Sequence, residues 1–207
     1  MITDKTRDEL REIAARYPEG RSGLLPMLHL LQSVQGHITQ AGLEECAAVL
    51  DLTTAEVAAV ATFYSMYKTK PVGDHLVGVC TNTLCAVMGG DLIYERLQHH
   101  LGGNESADGA ITLEHVECNA GCDYAPVVMV NWEFFDNQTP DSAVELVDNL
   151  RAGHTVTSPR GAEITCWRDV ERVLAGFEDG RADEGPSAGT ASLVGLRKAA
   201  ALEEEAG

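Results

Sequence analysis

The sequence predicts an α+β chain: an N-terminal helical bundle over residues 1–72, an α/β layer over 73–155, and a C-terminal extension over 156–207 whose acidic tail is partly disordered. Three observations carry this division. Apolar residues recur at helical spacing up to residue 70, the turn cluster Pro71-Val72-Gly73-Asp74 precedes the first strand-like run, and residues 178–189 are rich in Asp, Glu, Gly, Ser and Ala without an apolar period. A chain of 207 residues with 44% hydrophobic content buries a sizeable core and has room for one domain plus an accessory part.

The helices come first. Leu10, Ile13, Ala14 and Tyr17 share one face, and Leu24, Leu25, Leu28, Leu31 and Val34 share another, with Gly36 as the stop. A third helix covers 40–50, and a fourth starts at Thr53-Thr54-Ala55-Glu56, which has the spacing of a capping box. After the turn, His75-Leu76-Val77-Gly78-Val79-Cys80 reads as a strand that delivers Cys80 to its C-terminal end. Leu92, Ile93, Leu97 and Leu101 mark an amphipathic helix over 90–101, ended by Gly102 and Gly103. Residues 111–116 alternate as a strand leading into Cys118. Runs 127–130 and 133–135 pair as an antiparallel hairpin across Asn131-Trp132. Thr139, ahead of Pro140, starts a helix running to about residue 151. The order β-α-β-β-β-α points to a thioredoxin-like layer. Beyond it, 164–177 adds a last short helix, and 192–205, with Leu193, Leu196, Ala200 and Leu202 near helical spacing, reads as a frayed tail.

Fifteen basic against thirty-two acidic residues leave a net charge of −17, which repels phosphate backbones and anionic lipid headgroups. The expectation is no nucleic-acid partner and no direct membrane insertion. The first five residues hold no apolar leader run, and no stretch approaches the roughly eighteen consecutive apolar residues of a membrane span. The chain therefore reads as cytoplasmic, in a compartment that keeps cysteines reduced.

Four of the six cysteines lie in two short loops, Cys80-Thr81-Asn82-Thr83-Leu84-Cys85 and Cys118-Asn119-Ala120-Gly121-Cys122, and two separated pairs in such a chain point to a metal site. Structural zinc tolerates about two to four residues between paired ligands, so zinc stays a rival. A plant-type ferredoxin needs a third cysteine where Met88 stands, and no bacterial C-x2-C-x2-C run is present. What remains is four thiolates, Cys80, Cys85, Cys118 and Cys122, the set that a [2Fe-2S] cluster needs. Thr81, Asn82, Thr83, Ala120 and Gly121 are small or polar and let backbone N–H groups approach the sulfurs, while Gly121 permits the tight turn between its flanking cysteines. Cys46, among Leu43, Ala47 and Leu50, reads as a small buried hydrophobe, and Cys166 beside Trp167 as packing. His115 lacks the second histidine of a Rieske-type centre, and His99 and His100 read as solvated helix-end residues.

The run from Cys118 through Asp123-Tyr124-Ala125-Pro126-Val127-Val128-Met129-Val130 to Asn131, together with Thr62-Phe63-Tyr64-Ser65-Met66 and the Cys80/Cys85 pair, resembles the 24-kDa subunit family of respiratory complex I, the bacterial NADH-quinone oxidoreductase. The likeness covers roughly residues 6–152, and Trp132 stands where the family often has an acidic residue. The resemblance implies a thioredoxin-like ferredoxin domain preceded by helices, with Cys80, Cys85, Cys118 and Cys122 as ligands of one [2Fe-2S] cluster. It also implies docking against a flavin-bearing, NADH-binding subunit and other complex I subunits, peripheral on the cytoplasmic side of the membrane.

No G-x-G-x-x-G and no G-x-x-x-x-G-K-[ST] occurs, so FMN and NADH are expected only on the partner subunit, with no catalytic residue on this chain. Two other readings stand beside this one. The first is the equivalent subunit of a soluble NAD-linked formate dehydrogenase or hydrogenase. The second is a zinc-stapled interaction module with no redox role.

Overall fold

The capping residues predicted from sequence set the register of the N-terminal helices. In the computed structural model, which describes residues 2–182, 184–185 and 194–206, Thr3 opens α1 (Asp4–Ala15) through a capping box with Thr6. Next come α2 (Leu24–Gln35), α3 (Gln40–Leu50) and α4 (Thr54–Phe63). Gly36 ends α2 in the left-handed region at φ 78°, and Thr53 and Glu56 exchange backbone hydrogen bonds of 3.2 and 2.9 Å at the start of α4. Leu10, Ile13, Met27, Leu28, Leu30, Leu31, Cys46 and Val57 fill the core of this bundle.

Two expected faces shift. Leu25, assigned to the apolar face of α2, is 38% exposed, whereas Met27 and Leu30 are buried. The cause is that α2 is surrounded by α1, α3 and a C-terminal helix, so it buries most of its circumference rather than one stripe. Tyr17, counted with Leu10 and Ile13, lies beyond the end of α1 and is half-exposed.

The sheet begins after the turn. β1 (His75–Cys80), α5 (Thr83–Val87), α6 (Gly90–Leu101), β2 (Ile111–Val116), β3 (Val128–Val130), β4 (Glu133–Phe135) and α7 (Pro140–Arg151) follow in order. The strands lie β2-β1-β3-β4, with β1 and β2 parallel from His75 opposite Ile111 to Cys80 opposite Val116, and the other pairs antiparallel. Alternation along β1 divides the layers. Val77 and Val79 pack with Ile93, Leu97, Val147 and Leu150 of α6 and α7, while Cys80 packs with Met129, Val127 and Trp132. Leu92, one of the residues used to predict α6, points outward because the buried row is Ile93, Leu97 and Leu101, four residues apart. His100 is not simply solvated: its Nε2 lies 2.8 Å from Asp148 of α7.

The chain then returns to the bundle. α8 (Trp167–Leu174) packs along α2, with Trp167 and Glu171 fully buried, and Ala175 and Phe177 complete the bundle core. Arg168 donates to the carbonyls of Ser33 and Val34 at the end of α2, and Arg172 pairs with Glu9 at 2.7 Å. Residues 183 and 186–189 of the stretch expected to be disordered lie outside the described residues. In the rest of it, Arg181 donates to Glu163 O at 2.7 Å and to Glu184 at 2.9 Å. α9 (Val194–Ala206) covers most of the segment read as a tail, of which 192 and 193 lie outside the described residues. Among the described residues no single helix is long and apolar enough to cross a membrane. The α3–α4 pair is apolar enough only when taken together, and it is bent by 117°.

Candidate metal centre

Cys80 ends β1, the strand buried on both faces, and is itself buried. Its backbone N–H donates to Val127 O at 3.1 Å, fixing the strand end against the segment that leads into β3. Cys85 does not sit in an open loop as expected. It lies in the short helix α5, whose start is capped by Asn82 accepting from Thr83 N at 3.1 Å, and it too is buried. Gly90 lets α6 begin directly over this pair. A Cβ there would collide with the Cys80 carbonyl and come within 2.9 Å of that of Cys85.

Cys118 and Cys122 follow β2 and are exposed. Their sulfurs are 3.7 Å apart, and two thiolates on one tetrahedral metal with bonds of about 2.3 Å stand about 3.8 Å apart. The turn between them works differently from the expectation. The left-handed residue is Ala120, at φ 57°, whereas Gly121 has φ −89°. Gly121 instead relieves crowding, since a Cβ would sit 3.3 Å from both Phe134 and Val127. Asn82 donates to Glu117, so a hydrogen bond ties the two cysteine segments together.

Cys85 and Cys122 each respond to neighbouring thiols. Burial pushes Cys85 up; a Val127 backbone N–H at its sulfur opposes the shift, and Cys80 and Cys122 add to it. Cys122 is raised mainly by its neighbour Cys118, with a contribution from Cys80. Both shifts favour the thiol form of Cys85 and Cys122 until a cation is bound. Of the expected N–H donors, Ala120 reaches the Cys118 sulfur at 3.4 Å, but Thr81 N donates to Val116 O and Thr83 N to Asn82. Val127 is a donor that sequence reasoning missed. The sulfurs stand as two pairs, and among the described residues no three His, Cys, Asp or Glu side chains gather as ligands of a single ion. This donor set, two thiol pairs at one end of the sheet with the exposed pair at metal–thiolate spacing, fits a two-metal iron–sulfur group.

The other candidates lie elsewhere. Cys46 is fully buried in the bundle, Cys166 caps α8 and donates to Asp169 at 3.1 Å, and His115 is exposed with its ring against Tyr94.

A mixed sheet carrying paired thiols at the ends of its two parallel strands defines a small metal-binding α/β protein of the electron-carrier type. The sequence model of the thioredoxin-like [2Fe-2S] ferredoxins matches residues 10–151, and the chain belongs to that family, whose cofactor is a [2Fe-2S] cluster. It is 57% identical over 195 residues to a subunit of the NADH-quinone oxidoreductase of Mycobacterium bovis, covering 92% of this chain and 77% of that protein. It is 35% identical over 156 residues to a subunit of the NADH-quinone oxidoreductase of Thermus thermophilus, covering 72% and 86%. Among solved structures, a NAD+-reducing [NiFe]-hydrogenase chain superposes with a TM-score of 0.55 at 22% identity, covering 63% of this chain and 23% of that one. That likeness concerns the fold.

Proposed function

We propose that this chain is the electron-transfer subunit of the NADH-oxidising module of an NADH:quinone oxidoreductase, with Cys80, Cys85, Cys118 and Cys122 holding its [2Fe-2S] cluster. The observation that carries this reading is the convergence of two thiol pairs, one buried and one exposed, at one end of the sheet. When bound, the cluster supplies a site that takes and gives one electron at a time. The chain's own residues do the rest. Four thiolates bind, the Ala120 N–H donates to the Cys118 sulfur, and Ala125, Val127, Met129 and Phe134 exclude water from the inner side.

The outer side is open. Leu84, Val87, Met88 and Leu92 form an apolar surface beside the cysteines, with Val87 79% exposed, and this supports a protein partner rather than a diffusible substrate. A one-electron site without a nucleotide-binding motif needs a partner that accepts hydride. That partner is read as a flavin-bearing, NADH-binding subunit, with the assembly peripheral on the cytoplasmic side of the membrane. Relatives named for the quinone oxidoreductase, matched over most of both chains, favour this reading over a soluble formate dehydrogenase or hydrogenase. Membership of the thioredoxin-like [2Fe-2S] ferredoxin family favours the iron–sulfur cluster over zinc.

Iron and acid-labile sulfide analysis with EPR on anaerobically purified protein tests the proposal. About two irons and two sulfides per chain, with a spin-one-half signal appearing only on reduction, is the expected result. Stoichiometric zinc and no signal after iron-replete expression would overturn it.

A further inference from the structure

The segment that follows α7 lies beyond residues 10–151, the part matched by the family model, yet it reaches back to the aromatic rings beside the exposed cysteine loop. Ser158, almost fully buried, donates through Oγ to Phe134 O at 3.2 Å and accepts from Arg160 N at 3.0 Å. A turn closed by Gly161 N to Ser158 O at 2.8 Å then aims the Arg160 side chain across β4. The guanidinium lies 4.2 Å from the centre of the Phe134 ring and 5.7 Å from that of Tyr124. Its Nε and Nη2 donate to the two oxygens of Asp136 at 3.1 and 3.0 Å, which fixes the plane of the fork.

Both rings belong to the neighbourhood of the cysteine loop. Tyr124 ends the 3-10 turn Cys122–Tyr124 that starts at a cysteine, and the Phe134 ring lies 3.3 Å from where a Cβ at Gly121 would sit. Arg160 therefore ties the far end of the loop to the strand on which the loop rests. Its charge is offset by Asp136, and its place over the Phe134 ring distinguishes it from a simple surface cation.

We propose that Arg160 is a positioning residue for the 118–122 loop, holding Cys118 and Cys122 in place by stacking on Tyr124 and Phe134. The consequence for cofactor retention rests on the reading that these two cysteines are ligands; the consequence for the loop itself does not.

The test uses the full chain as wild type, Arg160→Gln and Arg160→Lys. In the metal-free protein, alkylation by iodoacetamide is followed by mass spectrometry, with Cys46 and Cys166 as internal references. Both variants are expected to change the alkylation rates of Cys118 and Cys122 several-fold while the reference cysteines and the far-UV melting transition stay at wild-type values. In the iron-loaded protein, both variants are expected to lose iron to a chelator several-fold faster and to show an altered line shape in the reduced EPR spectrum, which a purely scaffold role would leave unchanged. Unchanged alkylation and EPR in Arg160→Gln would overturn the proposal. Full rescue by lysine would overturn it as well, because charge without a planar stack would then suffice. A wild type that binds no iron would sink the ligand reading, while the metal-free alkylation rates would still decide the role of Arg160.

Discussion

Glu171 of α8 and His29 of α2, separated by 142 positions in the chain, meet at 2.6 Å between the carboxylate and Nδ1. Glu171 has no exposed surface, and it also accepts from Gln32 at 2.6 Å and from the Trp132 indole at 3.3 Å. Trp132 sits in the β3–β4 hairpin at φ 74° and packs beside the buried cysteines, so one carboxylate joins the bundle to the sheet.

Replacing Glu171 by Ala leaves three donors facing an apolar gap and is expected to destabilise the chain by about 3 kcal/mol. Glu171→Gln keeps the shape and one acceptor and is expected to cost about 1–2 kcal/mol. Urea denaturation measures both, and equal losses would show that the carboxylate itself, rather than the retained shape and single acceptor, matters at this position.

Cys118→Ser and Cys122→Ser are expected to abolish or strongly alter the cluster spectrum, whereas Cys46→Ala and Cys166→Ser leave it intact. Visible absorption with iron analysis reads the difference. Loss of the cluster in Cys166→Ser with retention in Cys122→Ser would refute the ligand assignment.

Gly90→Ala forces a methyl group against the carbonyls of Cys80 and Cys85, which are backbone and cannot swing away. The expected cost is about 3 kcal/mol with poor cluster loading. Gly89→Ala meets open space but must adopt φ 109°, and is expected to cost about 1–2 kcal/mol. Thermal melts of the two variants rank them; the reverse order would contradict the packing over the site.

Burial lifts the Cys46 thiol from 9.0 to about 12. A raised folded-state value makes a stability contribution that is complete below about pH 9 and is lost as pH climbs towards 12. Wild type should therefore lose more stability than Cys46→Ala between about pH 8 and pH 10.5. Parallel urea midpoints for the two chains would disprove the linkage.

Local signals gave most of the architecture. The strand His75–Cys80, the helix Gly90–Leu101 and the Asn131-Trp132 hairpin emerge where periodicity and turn chemistry predict them, because each depends on neighbours a few residues away. The cysteine positions were legible for the same reason. The setting of Cys85 was not, since a helix of five residues is too short to show a period. The role of Gly121 was misassigned because a ring thirteen positions later, Phe134, decides it. Glu171 and Arg160 left no trace at all: a carboxylate paired with α2 and a guanidinium stacked on β4 look, in the sequence, like ordinary surface charges.

The return of α8 to the bundle has a bearing on the order of assembly during synthesis. Helices α1 to α4 leave the ribosome before the sheet, yet their core lacks Ala175 and Phe177 until nearly the whole described chain has emerged. Both cysteine pairs are thus translated in the interval between the start of the frame and its completion. A bundle begun before the cysteine-bearing sheet is thus closed only after it.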